Sequence, residues 1–246
     1  MAIKETFFIS HGSPMLAIDD SSPAHSFLST FQEKVLPEKP KAILIVSAHY
    51  ETSDPMVTAV SGPNETIYDF YGFPKKLYKI KVDEKTRGLD HGAWVALSLM
   101  FPAADVPVCE LSVQGNVYGG DHHFRVGRAL APLKDDGVLI IGSGSATHNL
   151  NLIDRRRPDA EVSAWAKEFD GWIAAALAEG RREDVIDFMR RAPHASAAHP
   201  RAEHFYPLHV ALGAAGENAT AERIHDEWSH GTISYASYRF TETPKG

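Results

Sequence analysis

A single cysteine, Cys109, in 246 residues means that no disulfide can form within the chain, and a metal site built on several thiolates is excluded with it. A reducing compartment suits such a sequence. Long apolar runs are missing as well: the longest, residues 42–46 and 172–178, fall far short of the roughly 20 residues a membrane helix needs. The stretch Met1-Ala-Ile-Lys-Glu5 lacks the basic-then-apolar layout of a signal peptide, so a cytoplasmic location and no membrane partner are expected. Basic charge is not in excess either. Lysine and arginine number 25 against 32 acidic residues, a net charge of −7. Nucleic acid is therefore not an expected partner, because its binding requires a basic face. Gly/Ser linkers, low-complexity tracts and repeats are absent, so residues 1–246 read as a single domain, long enough to bury a core unaided.

What the chain does contain is a set of apolar, β-rich runs at 6–10, 42–47, 56–60, 106–112, 137–141 and 233–240. Two of them, Ile43-Leu-Ile-Val46 and Val138-Leu-Ile-Ile141, are continuous rather than alternating, the mark of strands buried on both faces. Between the runs lie helical patterns at 24–35, 90–100, 163–178 and 184–191, with Gly180 a stop signal after the third. The alternation predicts an α/β fold: a mostly parallel central sheet flanked by helices, with the site at the carboxyl ends of the strands.

Histidine is abundant, 13 in all, and unevenly spread. The three clearest strands run into Ser10-His11-Gly12-Ser13-Pro14, Ala48-His49-Tyr50-Glu51 and Gly142-Ser-Gly-Ser-Ala-Thr147-His148-Asn149, so three strand ends deliver imidazoles to one sheet edge. Taken singly, a histidine after a strand is more often a hydrogen-bonded loop residue than a ligand. Three at matching positions favour a metal, for which neutral imidazole is the commonest ligand. His91 follows Asp90, and the stretch from Arg191 holds His194, His199, His204 and His209. His25 reads as surface, and His122 and His123 as solvated residues of a polar loop.

Competing motifs fail. The 142–147 loop lacks the third glycine of a dinucleotide fingerprint and the lysine of a Walker loop. Ser13 and Ser145 stand in no Gly-x-Ser-x-Gly elbow, and Cys109 has no basic neighbour to activate it, which favours a structural thiol. Arg155-Arg-Arg157 reads as the solvated start of a helix. Without thiolates, Zn or Fe are the leading metals, and ligands dispersed along the chain suit an open catalytic site rather than a closed structural one. No His-Glu-x-x-His spacing points to a metalloprotease.

Five motifs, in order along nearly the whole chain, resemble those of the class III extradiol ring-cleaving dioxygenases, in the DOPA 4,5-dioxygenase branch of the LigB superfamily. They are Ser10-His-Gly-Ser-Pro14, Ser47-Ala-His-Tyr50, Gly88-Leu-Asp-His-Gly92, Gly142-Ser-Gly-Ser-Ala-Thr-His-Asn149 and His199-Pro-Arg-Ala-Glu-His-Phe-Tyr-Pro-Leu-His209. The resemblance implies a single catalytic domain over 1–246. It also implies a non-haem site formed by His11, His49 and His204, with Fe(II) the working metal and Zn(II) a common occupant of isolated proteins. Glu203 competes for the third ligand position, since many members of the wider superfamily use a glutamate. His148 and His91 are implied as the acid/base pair, His148 being also a candidate ligand in an empty or zinc-loaded site. The partners implied are a small catechol and O2, with the chain a monomer or homodimer.

On this reading His148 is the base or proton relay, His91 assists, and Asp90 is the expected carboxylate orienting His91. Tyr68, Phe70, Tyr71 and Phe73 form an aromatic loop that either lines a catechol pocket or simply packs on the sheet. One departure stands out: only residues 82–87 bridge the expected Tyr78-Lys-Ile-Lys81 strand and the Gly88 motif, where relatives carry a further helix-sized segment. Two rivals use the same histidines, a zinc hydrolase with a metal-bound water and a non-catalytic metal-binding member of the family.

Overall fold

Alternation within continuous apolar runs decides the architecture. In the computed structural model, which describes residues 2–58, 66–75, 77–79 and 88–242, strand β1 (Glu5–Ser10) buries Phe7 and Ile9 in one apolar cluster and Phe8 in another. Strands β2 (Ala42–Glu51) and β4 (Val138–Gly144) do the same, Ile43, Ile45, Leu139 and Ile141 going one way and Leu44, Val46 and Ile140 the other. A strand with apolar side chains on both faces has to be covered twice. Each fully buried Phe or Ile among them contributes about 1.5–3 kcal/mol.

The cover on one face comes from α1 (Pro23–Ser29), α2 (Phe31–Lys34) and α3 (His91–Met100), through Leu28, Phe31, Trp94, Val95 and Leu97. The other is covered chiefly by α5 (Ala164–Ala178), through Phe169 and Ile173, and by α9 (Tyr206–Ala215), every residue of which is buried. Outside α9 lies α4 (Gly120–Leu130), and the short helices α6 (Arg182–Ile186), α7 (Phe188–Arg191) and α8 (Ala195–Ala198) lead into α9. Glycine brings α4 and α9 together: a β-carbon on Gly127 would strike the Val210 carbonyl, and one on Gly213 the Phe124 carbonyl.

Six strands form the sheet in the order β3-β2-β4-β1-β8-β5, with β3 (Val108–Val113), β5 (Ala219–His225) and β8 (Ser237–Glu242) completing it. The first four are parallel; β8 is antiparallel to β1, and β5 to β8. Strands β6 (Trp228–Ser229) and β7 (Ile233–Ser234) make a separate two-residue ladder. The mostly parallel α/β sheet expected from the apolar runs is the one observed.

Several local expectations need correction. The 24–35 and 184–191 patterns are each two helices, and the 233–240 run is two strands. Of 56–60, Val57 makes only a single bridge to Leu111, and 59–60 lie outside the described residues. Residues 77–79 form a 3-10 turn where a strand was expected; residues 80–87, with the shortened connection, also lie outside them. Arg155 to Arg157 lie in turns, not in a helix. Cys109 is exposed on the outermost strand.

Candidate metal centre

The carboxyl ends of β1, β2 and β4 are neighbours in the sheet, and each carries one histidine to the same edge. His11 follows β1, its backbone N–H donating to the Gly144 carbonyl at 3.1 Å. His49 lies within β2, where pairing to β3 slips register between Ser47 and Glu51; such a bulge re-aims a side chain at a strand end. His148 lies in the loop after β4. The fourth, His204, arrives from between α8 and α9, its carbonyl accepting from the Ser145 N–H at 3.0 Å. Glycine permits that approach. A β-carbon on Gly144 would collide with the His204 carbonyl, and one on Gly142 with the Pro207 carbonyl. His91 opens α3 and completes the cluster, while the next residue, Gly92, leaves no room for a β-carbon beside Ser47 and His49.

Three ring nitrogens meet. His49 Nε2 lies 3.2 Å from His11 Nε2 and 3.2 Å from His204 Nε2. A cation about 2.0–2.1 Å from two such nitrogens, at an angle between a right angle and a tetrahedral one, would hold them about 2.8–3.4 Å apart, so each of these two spacings fits a shared metal. His91 and His148 flank this trio. Ligand atoms of His11, His49 and His91 fall within 4.8 Å of one another, as do those of His148, Glu203 and His204. The His148 ring stacks on His204 at 3.5 Å between centroids, and that of His91 lies 3.8 Å from His49.

The far edges of two rings are held by oxygen acceptors. His11 Nδ1 is 3.0 Å from Ser143 Oγ, whose hydroxyl donates to the Gly92 carbonyl; His204 Nδ1 is 3.1 Å from Glu203 Oε1. With its own hydrogen committed to Gly92, Ser143 can only accept from His11. His11 therefore carries its proton on Nδ1 and presents the Nε2 lone pair to the cluster, the arrangement metal-binding histidines use. Burial depresses the basicity of the whole group. It is the largest cause holding His11 and His204 well below the usual imidazole value, with neighbouring histidines adding to it. His49 is lowered to about 4 by burial and His91, and His148 to about 4 by burial, His49 and His91. All four are neutral at pH 7 and have lone pairs to offer.

The five histidines expected at the site are thus brought together. Glu203 joins them at the Nδ1 edge of His204, opposite the edge that faces His49; burial raises its carboxyl pKa. Asp90, expected to orient His91, does something else. It caps α3, its Oδ1 accepting from the Ala93 N–H at 3.3 Å and the Ser47 hydroxyl at 2.6 Å. The carboxylate on His91 is Asp69, which sequence reasoning missed: Oδ2 lies 2.6 Å from His91 Nδ1 and Oδ1 accepts the His91 N–H at 3.1 Å. No spacing signals it, because the two residues are 22 apart and join loop to helix. Of the aromatic loop, Phe70 and Phe73 pack against the core, Phe70 also lies edge-on to His91 at 6.1 Å between centroids, and Tyr71 is 93% exposed.

The remaining histidines lie elsewhere. His122 and His123 belong to α4 rather than to a polar loop. His123 is buried, stacked on Tyr206 at 4.2 Å and accepting from the Gln114 N–H at 3.0 Å. His209 is buried in α9 against the Val185 carbonyl, and His194 is exposed beside Glu168. His25 is half-buried. His199 supports the site indirectly, through 2.9 Å from its Nε2 to the Ala146 carbonyl.

Against known proteins, the chain matches a family model described as the catalytic LigB subunit of aromatic ring-opening dioxygenase, in two stretches, residues 5–86 and 75–241. Curated relatives named 4,5-DOPA dioxygenase extradiol are 52% identical in Beta vulgaris, covering 98% of both chains, and 47% identical in Portulaca grandiflora, covering 98% of this chain and 97% of the relative. A protein of the same name from Escherichia coli K12 is 32% identical over 84% of this chain and 83% of its own. The Beta vulgaris alignment runs over 267 positions against 246 residues here, so the relative carries residues without a counterpart in this chain. A solved structure of an uncharacterized Escherichia coli K12 protein superposes with a TM-score of 0.78 at 26% identity, covering 96% of this chain and 99% of that one.

Proposed function

The chain belongs to the LigB family of aromatic ring-opening dioxygenases, and from that membership we propose that it is a non-haem Fe(II) extradiol dioxygenase opening a catechol-type ring to a semialdehyde. The observation that carries this reading is the convergence of His11 and His204 on His49, whose Nε2 lies 3.2 Å from the Nε2 of each. These three would hold the metal, with Ser143 and Glu203 fixing the rings of His11 and His204 from behind. Nitrogen donors of this kind suit Fe(II) and Zn(II) alike, and the oxygen chemistry of the family favours iron. Fe(II) held there would supply Lewis acidity and the redox chemistry towards O2 that a closed-shell zinc ion lacks.

The protein's own groups handle the protons. His148 is neutral, buried and stacked on His204, and acts as the base or relay that takes a catechol proton. His91, across the cluster, assists. Burial serves both, because water excluded from the site leaves the imidazoles as the nearest acceptors. A DOPA-type catechol is the first substrate to try, since the relatives bear that name. We further take the protein to act in the cytoplasm, as a monomer or homodimer, on small molecules; among the described residues no helix is long and apolar enough to cross a membrane.

Anaerobic loading with Fe(II), followed by O2 uptake with DOPA, catechol, protocatechuate and gallate, tests the proposal. Uptake with a yellow ring-fission product is expected for at least one of them. Hydrolysis by the zinc form, with no uptake from any catechol, would replace this reading with a zinc hydrolase. Metal binding without either activity would leave a non-catalytic member of the family.

A further inference from the structure

Asp69 is the carboxylate that touches His91, and it does so twice. Its Oδ1 accepts the His91 backbone N–H at 3.1 Å and its Oδ2 faces His91 Nδ1 at 2.6 Å. The two contacts clasp the ring to its own backbone and so fix the direction in which the imidazole points. The side chains are 13% exposed for His91 and 24% for Asp69, so the contact lies at the rim of the cluster, partly open to solvent. Burial would push the Asp69 carboxyl up, but the hydrogen bond and nearby histidines outweigh it, and the group lies below the ordinary carboxylate range. It is ionised at pH 7 and can only accept. The 2.6 Å contact therefore needs a hydrogen on Nδ1, which leaves the lone pair of a neutral His91 on Nε2. That ring lies 3.8 Å from His49 and 5.7 Å from His11 between centroids.

We propose that Asp69 is the positioning residue of this site: it locks His91 in the Nδ1–H tautomer and so keeps Nε2 free to receive a proton at the cluster. Asp90 cannot do this. Neighbours on a helix do not face one another, and its Oδ1 is engaged by Ala93 and Ser47. The arrangement matches a carboxylate–histidine pair in which the acid holds the imidazole in the right form without touching substrate. Its role in turnover rests on the dioxygenase reading above; the tautomer itself does not.

The test separates the two. In uniformly 15N-labelled, metal-free protein, long-range 1H–15N correlation reads the His91 tautomer, the signals being assigned by their loss in H91Q. The wild-type ring is expected as Nδ1–H. In D69N the amide can donate to Nδ1, so a shift towards Nε2–H is expected, whereas D69E keeps an acceptor and keeps Nδ1–H. In Fe(II)-loaded enzyme, kcat should fall about 100-fold in D69N with KM changed less than twofold, and D69E should recover a substantial part. A purely structural tether predicts the reverse order, the isosteric D69N active and the longer D69E impaired; that result would overturn the proposal. So would an Nε2–H ring in the wild-type protein, a reading that needs no variant to fold. If no catechol is turned over by wild type, the dioxygenase reading fails while the tautomer measurement still decides the role of Asp69.

Discussion

His148 and His91 approach the same cluster from opposite sides and are held in opposite ways. The His148 loop is pinned at every residue. Ser145 N–H binds the His204 carbonyl, Ala146 N–H the Ser10 hydroxyl at 3.2 Å, Thr147 Oγ1 both the Thr232 carbonyl at 2.6 Å and the Ser234 N–H at 2.7 Å, and His148 N–H the Ala198 carbonyl at 2.9 Å. His199 closes it from beneath. His91 instead owes its place to a helix start and to one carboxylate from a loop with an exposed tip. Phe70 ties that loop down by a tilted ring contact to Trp94, and meets Phe73 edge-on. The difference is one of anchoring: on the β4 side a loop held by the backbone of several elements, on the α3 side a ring held by a single carboxylate.

The sharpest way to break this contrast is to delete each imidazole. His148→Ala should cost turnover by about 10²–10⁴-fold while metal content stays unchanged, and His91→Ala should cost less; equal losses in steady-state assays would abolish the distinction. Ser143 bridges the two sides, through His11 Nδ1 and the Gly92 carbonyl. Ser143→Ala should weaken metal binding by about 10–100-fold in a competition titration with a chromophoric chelator, with fold and melting cooperativity retained.

Acid should loosen the His148 side. His199 and His123 are held at about 3 and His209 at about 4, chiefly by burial, against about 6.5 in the unfolded chain. The unfolded state therefore takes up protons first. The stability of the metal-free protein should be fully present above pH 6.5 and fall steadily as pH drops towards 3–4, read as Tm between pH 7.5 and 5. A flat profile would mean that these histidines are not buried neutral. The smallest effect is expected at the loop tip, where Tyr71→Ser should change stability by no more than about 0.5 kcal/mol by urea denaturation, as befits a residue that touches little.

How legible all this was in the sequence follows the same divide. Ile43 to Val46 and Val138 to Ile141 announced doubly buried strands because continuous apolar runs have few other solutions. Histidines at strand ends could be found because the sheet edge is where the topology gathers side chains. Helix α9 escaped because its small residues, Pro207 and His209 carry no amphipathic stripe: the helix is buried all round. Helix α4 escaped because Gly119-Gly120-Asp121 looks like a turn and its buried His123 looks polar. Adjacency suggested Asp90 as the partner of His91. A carboxylate next in sequence to a helix start more often caps the helix, and the actual partner was set by a tertiary contact that no local pattern records.

The bare backbone at Gly142 and Gly144 carries a lesson for anyone remodelling this protein. Because the segment from His204 to Pro207 sits directly on main chain there, with no side chain as a cushion, the spacing of the clustered histidines is the spacing of the packed layers themselves. Changes beneath α9 would transmit straight to the histidine trio, whereas the opposite wall, built from Asp69, Phe70 and the start of α3, meets it through His91 and Gly92. Substitutions meant to spare the spacing of the trio belong on the loop that carries Asp69 and Phe70.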